Sequence, residues 1–318
     1  MARGLTRSPE GDHPGPDATP TGAAPAATPG RDAQADIAAT ARAGEPDRHL
    51  AALLAPAPER EALLALAAFA AELGRIPLRV VHEPVMGEIR LEWWRKALLE
   101  PSGEPAGQSV AEAMRTAIRR YHLPVEPIHD MLDARALDLT AQPFADAAAV
   151  EDYLWRTDGA LFALAGHVVG LPMQDNRIMA ACRAMGQAYG GARLLLSLPR
   201  SLALGRVPLA TSEVAAAGLS AHELIAAPAG GAERSRLEGL MQGQFARIRG
   251  SLAEARRHVG GVPRGGRVVF LPLALVDPYV RQLERQFRRL GGAALREEVQ
   301  LLPLLRVWRV ATAHLGGL

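Results

Sequence analysis

Asp130, Asp133 and Asp138 are the carboxylates of this 318-residue chain whose spacing could do chemistry. A helix would put Asp130 and Asp133 on one side, with Asp138 a little over two turns beyond Asp130. Hard oxygens so placed could hold one divalent cation. The same spacing is common on solvated helix faces, and Arg135 stands near enough to neutralise these acids. None of the nine histidines forms an HExxH pair; His82, His122, His129 and His167 stand singly and read as surface or core residues rather than metal ligands. Cys182 is the only cysteine, which excludes an intrachain disulfide and a thiolate cluster and fits a reducing compartment. No GxxxxGK run occurs, and the pairs Gly190-Gly191 and Gly260-Gly261 do not follow a strand pattern, so nucleotide binding has no support.

The basic residues are almost all arginine, with Lys96 the one lysine, and the formal net charge is only +2. Arginines interleave with acids too evenly to make a nucleic-acid footprint. No run reaches the roughly 18 apolar residues of a membrane span, and the N-terminus lacks the apolar core of a secretory signal. The expectation is a cytoplasmic protein with at most peripheral membrane contact, for which the arginines 281, 285, 288 and 289 form a candidate patch.

The elements that must position any site are helices. Hydrophobic residues are 48% of the chain and aromatics 4%, and the sequence is crowded with Ala, Leu and Arg, a composition that favours helix over sheet. Residues 1–45, rich in Pro, Gly, Ala, Thr and Asp, read as a disordered tail. A helical pattern begins near Asp47, and Pro58-Glu59 opens a stronger one carrying Leu63, Leu66, Phe69 and Leu73, which Pro77 is expected to end. Pro84 opens the next, closed by Pro101 and Gly103, and apolar stripes follow over 110–121 and 128–139. Further helices are expected over 149–170, 176–199, 220–227, 233–258 and 300–313, with kinked or abutting helices over 267–290 where Pro272 and Pro278 fall. Val80-Val81 and Val268-Val269-Phe270 are too short to build a sheet. The reading is one all-α domain over 46–318, of nine or ten helices.

The order of several stretches is informative where no single one is. Asp47 through Pro56, Glu61 through Phe69, Leu91-Glu92-Trp93-Trp94-Arg95, Ala134 through Leu139, Tyr153 through Gly159, Gly186-Gln187-Ala188-Tyr189, Gly205-Arg206 and Leu271 through Leu275 occur in series. Together they resemble the squalene/phytoene synthase family over about residues 45–310. That resemblance implies the all-α isoprenoid-synthase fold, a helical bundle around a central apolar pocket for two prenyl diphosphates.

Active members of the family carry two acidic motifs on facing helices, because Mg²⁺ takes hard oxygen ligands and diphosphate departure needs its charge neutralised. The run matching the first motif is Phe69 through Leu78, where Gly74, Arg75 and Leu78 stand at the acidic positions. The run matching the second follows Ala188-Tyr189, and there Ser197 and Ser201 stand at the acidic positions. Neutral hydroxyls anchor Mg²⁺ poorly, and Arg75 would place a cation where a cation must bind. The resemblance thus points to the motif-degenerate branch of the family, which includes the mitochondrial complex I assembly factor and its bacterial counterparts.

On this reading no catalytic residue, metal or cofactor is expected. The chain would act as a non-catalytic assembly or lipid-binding factor, with respiratory-complex subunits or an isoprenoid or other lipid as partner. Candidate pocket or phosphate-binding residues are Phe69, Glu72, Arg75, Tyr189, Arg193 and Arg206, with Arg79 a further phosphate candidate. The alternative is an active transferase condensing two prenyl diphosphates with Mg²⁺ at a rebuilt site, for which Glu72 or the Asp130/Asp133 pair would have to supply ligands. Trp93 and Trp94 read as core packing.

Overall fold

Proline and glycine punctuate a chain of helices whose apolar stripes close on one another. The computed structural model describes Met1 and residues 30–80, 83–99, 107–226 and 231–316. His82, Val81 and the Pro101/Gly103 helix end lie outside the described residues, as do residues 2–29 of the expected tail. The helices are α1 (Arg31–Gly44), α2 (Pro46–Leu53), α3 (Ala57–Arg79), α4 (Pro84–Leu99), α5 (Ser109–Tyr121), α6 (Glu126–Ala136), α7 (Ala147–Leu154), α8 (Ala160–Val168), α9 (Asn176–Met185), α10 (Gly191–Leu196), α11 (Leu198–Ala203), α12 (Thr211–Ala216), α13 (Ala221–Ala226), α14 (Gly231–Gly260), α15 (Leu273–Leu290) and α16 (Pro303–Gly316). Two π-helical turns, Trp155–Gly159 and Gly186–Gly190, join α7 to α8 and α9 to α10. No strand occurs among the described residues.

Helix α3 is the central column. Leu63, Leu66, Phe69, Leu73 and Ile76 are buried along it, each burial contributing roughly 1.5–3 kcal/mol relative to exposure. Phe69 meets Trp94 of α4 edge-on at 5.2 Å between centroids, so Trp94 is core packing as expected. Pro77 does not end this helix: it sits inside the last turn and the helix runs on to Arg79. The fixed proline φ suits a helical turn, and the Pro77 carbonyl accepts a 3.0 Å hydrogen bond from Arg206, replacing a partner the helix end cannot supply.

The expected disordered stretch is also corrected over 31–44, which forms α1 and packs along α3. Its inward face is small, with only Ile37 and Ala41 buried, and Gly44 approaches so closely that an added Cβ would lie 2.4 Å from the Ala71 Cβ. Helix α12 and the 3₁₀ turn Gly291–Arg296 are likewise elements that periodicity did not indicate. The 264–290 region is a 3₁₀ turn, Arg264–Phe270, abutting α15, with Pro278 inside that helix.

Candidate functional site: an arginine-lined cavity between two helices

The two π-helical turns lie against each other through glycine. A Cβ on Gly186 would come within 2.8 Å of the Gly159 backbone, and one on Gly190 within 3.0 Å of Asp158. This close approach brings Asp158 from one turn and Arg193 from the start of α10 into the lining of a cavity of about 490 Å³. Gly74, Arg75, Pro77 and Leu78 of α3 form one wall, and Ser197, Arg200 and Ser201 of α10–α11 line the same cavity. The five positions singled out in the sequence, Gly74, Arg75, Leu78, Ser197 and Ser201, are thus brought together. None offers a carboxylate.

Three acids do line the cavity, Glu45, Asp138 and Asp158, and each is already engaged. Arg193 bridges Glu45 and Asp158, lying 3.1 Å from the latter, while Arg48 bonds Asp158 and sits 3.2 Å from Glu45. Arg135 contacts Asp138 at 3.1 Å, and Tyr153 donates to the same carboxylate at 2.7 Å. Burial alone would push Asp158 up, but Arg193, Arg48 and Arg135 outweigh it and hold the carboxyl below its ordinary range. The Arg48 guanidinium also stacks over Phe162 and Tyr189, 4.4 and 5.1 Å from their centroids. Arg48 lines a separate small hollow of about 30 Å³ with Phe162 and Leu66.

Against these acids the lining sets Arg75, Arg135, Arg193, Arg200 and Arg206. Arg75 is tied to Glu72 at 2.7 Å, Arg200 to Glu298 at 3.2 Å, and Arg206 to the Pro77 carbonyl. The donor set is therefore suited to an anion. It does not fit Mg²⁺, which would need carboxylate oxygens not already committed to guanidinium groups. Among the described residues no three His, Cys, Asp or Glu side chains cluster to hold a metal ion.

Of the remaining candidates, Arg193 and Arg206 line the cavity, whereas Phe69, Glu72 and Tyr189 do not. Phe69 is core, Glu72 is nearly buried between Arg75 and Arg79, and Tyr189 points away to donate to Asp47 at 3.1 Å. The Asp130/Asp133 pair is separated from the cavity: Asp133 pairs with Arg95, and Asp130 lines another hollow beside Trp155 and His167. Arg135 turns to Asp138 and Tyr153 rather than to either of them, because α6 aims it inward. Cys182 is fully buried, and burial pushes its thiol up to about 12, which makes it a core residue.

Sequence reasoning did not find the network itself. Glu45, Arg48 and Asp158 make it, and Asp47, Tyr189, Tyr279 and Arg306 make a second beneath α16. Asp47, Arg48 and Asp158 fall in the stretches noted above, but Arg48 and Asp158 are 110 positions apart, and Asp47 meets Tyr189 and Tyr279 across 142 and 232.

Comparison with known proteins agrees with this architecture. The sequence profile of the squalene/phytoene synthase family matches residues 41–304. The chain belongs to the squalene/phytoene synthase family. Its curated relatives include the complex I assembly factor 6 proteins of Bos taurus, 24% identical over 82% of this chain and 78% of that one, and of Homo sapiens, 23% identical with the same coverage. Among solved structures, a ligand-bound dehydrosqualene synthase is 15% identical with a TM-score of 0.72, covering 90% of this chain and 96% of that one. Squalene synthase from Alicyclobacillus acidocaldarius is 18% identical with a TM-score of 0.63, covering 80% and 94%. The isoprenoid-synthase fold expected from the sequence is therefore the fold of this family member.

Proposed function

We propose that this protein is a non-catalytic assembly factor for a respiratory complex, which keeps the family's cavity as a binding site and not as a Mg²⁺-diphosphate centre. The observation that carries the reading is the pairing of every cavity carboxylate, Glu45, Asp138 and Asp158, with arginine. Recruiting Mg²⁺ would require breaking buried ion pairs, at a cost of about 3–5 kcal/mol each. Without the metal, the several kcal/mol of charge stabilisation that diphosphate departure needs is missing. The assembly role follows the names of the curated relatives, which match over most of both chains.

The excess of guanidinium groups suits one phosphate-bearing or carboxylate ligand, and about 490 Å³ lies within the roughly 300–1,000 Å³ range of single-ligand pockets. Bidentate contacts from Arg75, Arg200 or Arg206 would orient it, with the Ser201 hydroxyl alongside. An active condensing transferase is the competing reading, favoured by the structural neighbours, a squalene synthase and a dehydrosqualene synthase. It would need Glu72 released from Arg75 and Arg79, or Asp130 moved from a different hollow.

The test is deletion of the gene in its host, followed by native-gel analysis of respiratory complexes and by isolation of tagged protein with whatever it retains. Loss of assembled complex I, with its subunits found on the tagged chain, is the expected result. Intact complex I together with loss of a prenyl condensation product would overturn the proposal.

A further inference from the structure

Helix α16 is turned with its charged side inward. Arg306 reaches the buried Asp47 at 2.8 Å and the Tyr279 hydroxyl at 3.3 Å, and Val310, Leu305 and Ala313 pack against the core. The opposite side faces out and is apolar: Leu304 and Leu315 are each 85% exposed, Trp308 57% and Val307 49%, with Leu302 at 73% just before the helix. Leu304, Trp308 and Leu315 fall at i, i+4 and i+11, one continuous stripe about 17 Å long at 1.5 Å per residue. The inward ion pair fixes this orientation, so the exposed stripe is held in place by the fold and is not a loose end.

We infer that the outer face of α16 docks on an anionic lipid surface, lying in the headgroup plane. Charge decides the occupant. No Asp or Glu occurs from residue 299 to 318; Arg306 is engaged in the inward pair with Asp47, and Arg309 and His314 remain in that stretch. The Arg309 guanidinium sits 5.3 Å from the Trp308 ring, so an amphipathic aromatic and a cation share one border of the stripe, the arrangement that anchors interfacial helices. Helix α15, which packs on α16, carries exposed arginines of its own at 285, 288 and 289. A second copy is the poorer fit: a two-fold contact of this stripe with itself would bring matching arginines together with no acid in the stretch to pair them. No helix among the described residues is long and apolar enough to cross a membrane, which leaves surface docking as the mode. This inference does not depend on what the cavity binds.

The experiment is flotation of the full chain with vesicles of phosphatidylcholine alone and of phosphatidylcholine with about 30% phosphatidylglycerol. The variants are Leu304→Gln combined with Trp308→Gln, Leu315→Gln alone, and Ile89→Gln, which alters a comparably exposed apolar side chain on α4. Wild type and Ile89→Gln should float with the anionic vesicles and release as salt rises. The double variant should lose binding at least about tenfold with unchanged helicity, and Leu315→Gln should lose it several-fold. Failure of the wild type to float on either vesicle would overturn the inference, as would equal flotation of wild type and both stripe variants. So would a wild-type dimer in sedimentation that Trp308→Gln turns into monomer, since that assigns the face to a second copy.

Discussion

Asp158 and Asp47 are buried to nearly the same degree, 5% and 3% exposed, yet they titrate in opposite senses. Asp158 is bracketed by Arg193 and Arg48 with Arg135 nearby, and its carboxyl is held below the ordinary range despite burial. Asp47 has one guanidinium in contact, Arg306, two hydroxyl donors, Tyr279 and Tyr189, and the more distant Arg193; here burial outweighs all of them and pushes the carboxyl up. Burial sets the penalty and the number of adjacent cations decides whether it is overcome. The lesson for function is that the cavity's acids are saturated with arginine, while the acid beneath α16 is an anchor that holds a helix in its orientation.

The largest way to break this comparison is Asp158→Asn. It strips the shared partner from Arg48 and Arg193, and should lower unfolding stability by about 3–5 kcal/mol in denaturant titration. The pH dependence sharpens the point. A folded-state pKa held below the unfolded value gives stability that is present above about pH 4 and lost as pH falls, so Asp158→Asn should flatten the acid limb of the stability profile. Asp47 has the opposite sign: its raised folded-state pKa means stability falls as pH climbs through that pKa. Asp47→Asn keeps an acceptor for the two tyrosines but takes the charge from the Arg306 pair; it should lower neutral-pH stability by about 1–3 kcal/mol, less than Asp158→Asn, while removing that decline. A loss as large as that of Asp158→Asn would show that the two sites do not differ as described.

Smaller effects test the cavity wall. Arg206→Ala removes one hydrogen bond to the Pro77 carbonyl at the end of α3 and should cost about 0.5–1.5 kcal/mol. Its effect should add to that of Asp47→Asn, because the two residues share no partner. Smallest of all is the response to Mg²⁺: millimolar metal should leave the melting temperature unmoved, since the cavity holds no uncommitted carboxylate pair.

How much of this was legible in advance differs between the bundle and its buried charges. Helices α3, α4, α5, α9, α14 and α16 follow from apolar periodicity and proline openings, and Gly74, Arg75, Leu78, Ser197 and Ser201, distant in sequence, line one cavity. Helix α1 escaped because its buried residues are one isoleucine and one alanine, too little apolar signal for a stripe. Pro77 misled because proline's fixed φ suits a last helical turn, and the carbonyl of Pro77, orphaned at the helix end, accepts from the distant Arg206. The Glu45–Arg48–Asp158–Arg193 network was invisible for a related reason: burial and pairing of Asp158 with Arg48 depend on α2 meeting a π-helical turn 110 residues away, and no local spacing encodes that.

The central claim is that the arginine-saturated cavity cannot assemble a Mg²⁺-diphosphate centre. Its most direct test is diphosphate release and labelled-product formation by purified protein with Mg²⁺ and farnesyl or geranylgeranyl diphosphate, beside a family member that has both acidic motifs. The account predicts no turnover above the uncatalysed rate while the control is active and this protein is folded. Magnesium-dependent turnover abolished by Asp158→Asn or Glu72→Gln in a folded variant would contradict it and make those carboxylates metal ligands.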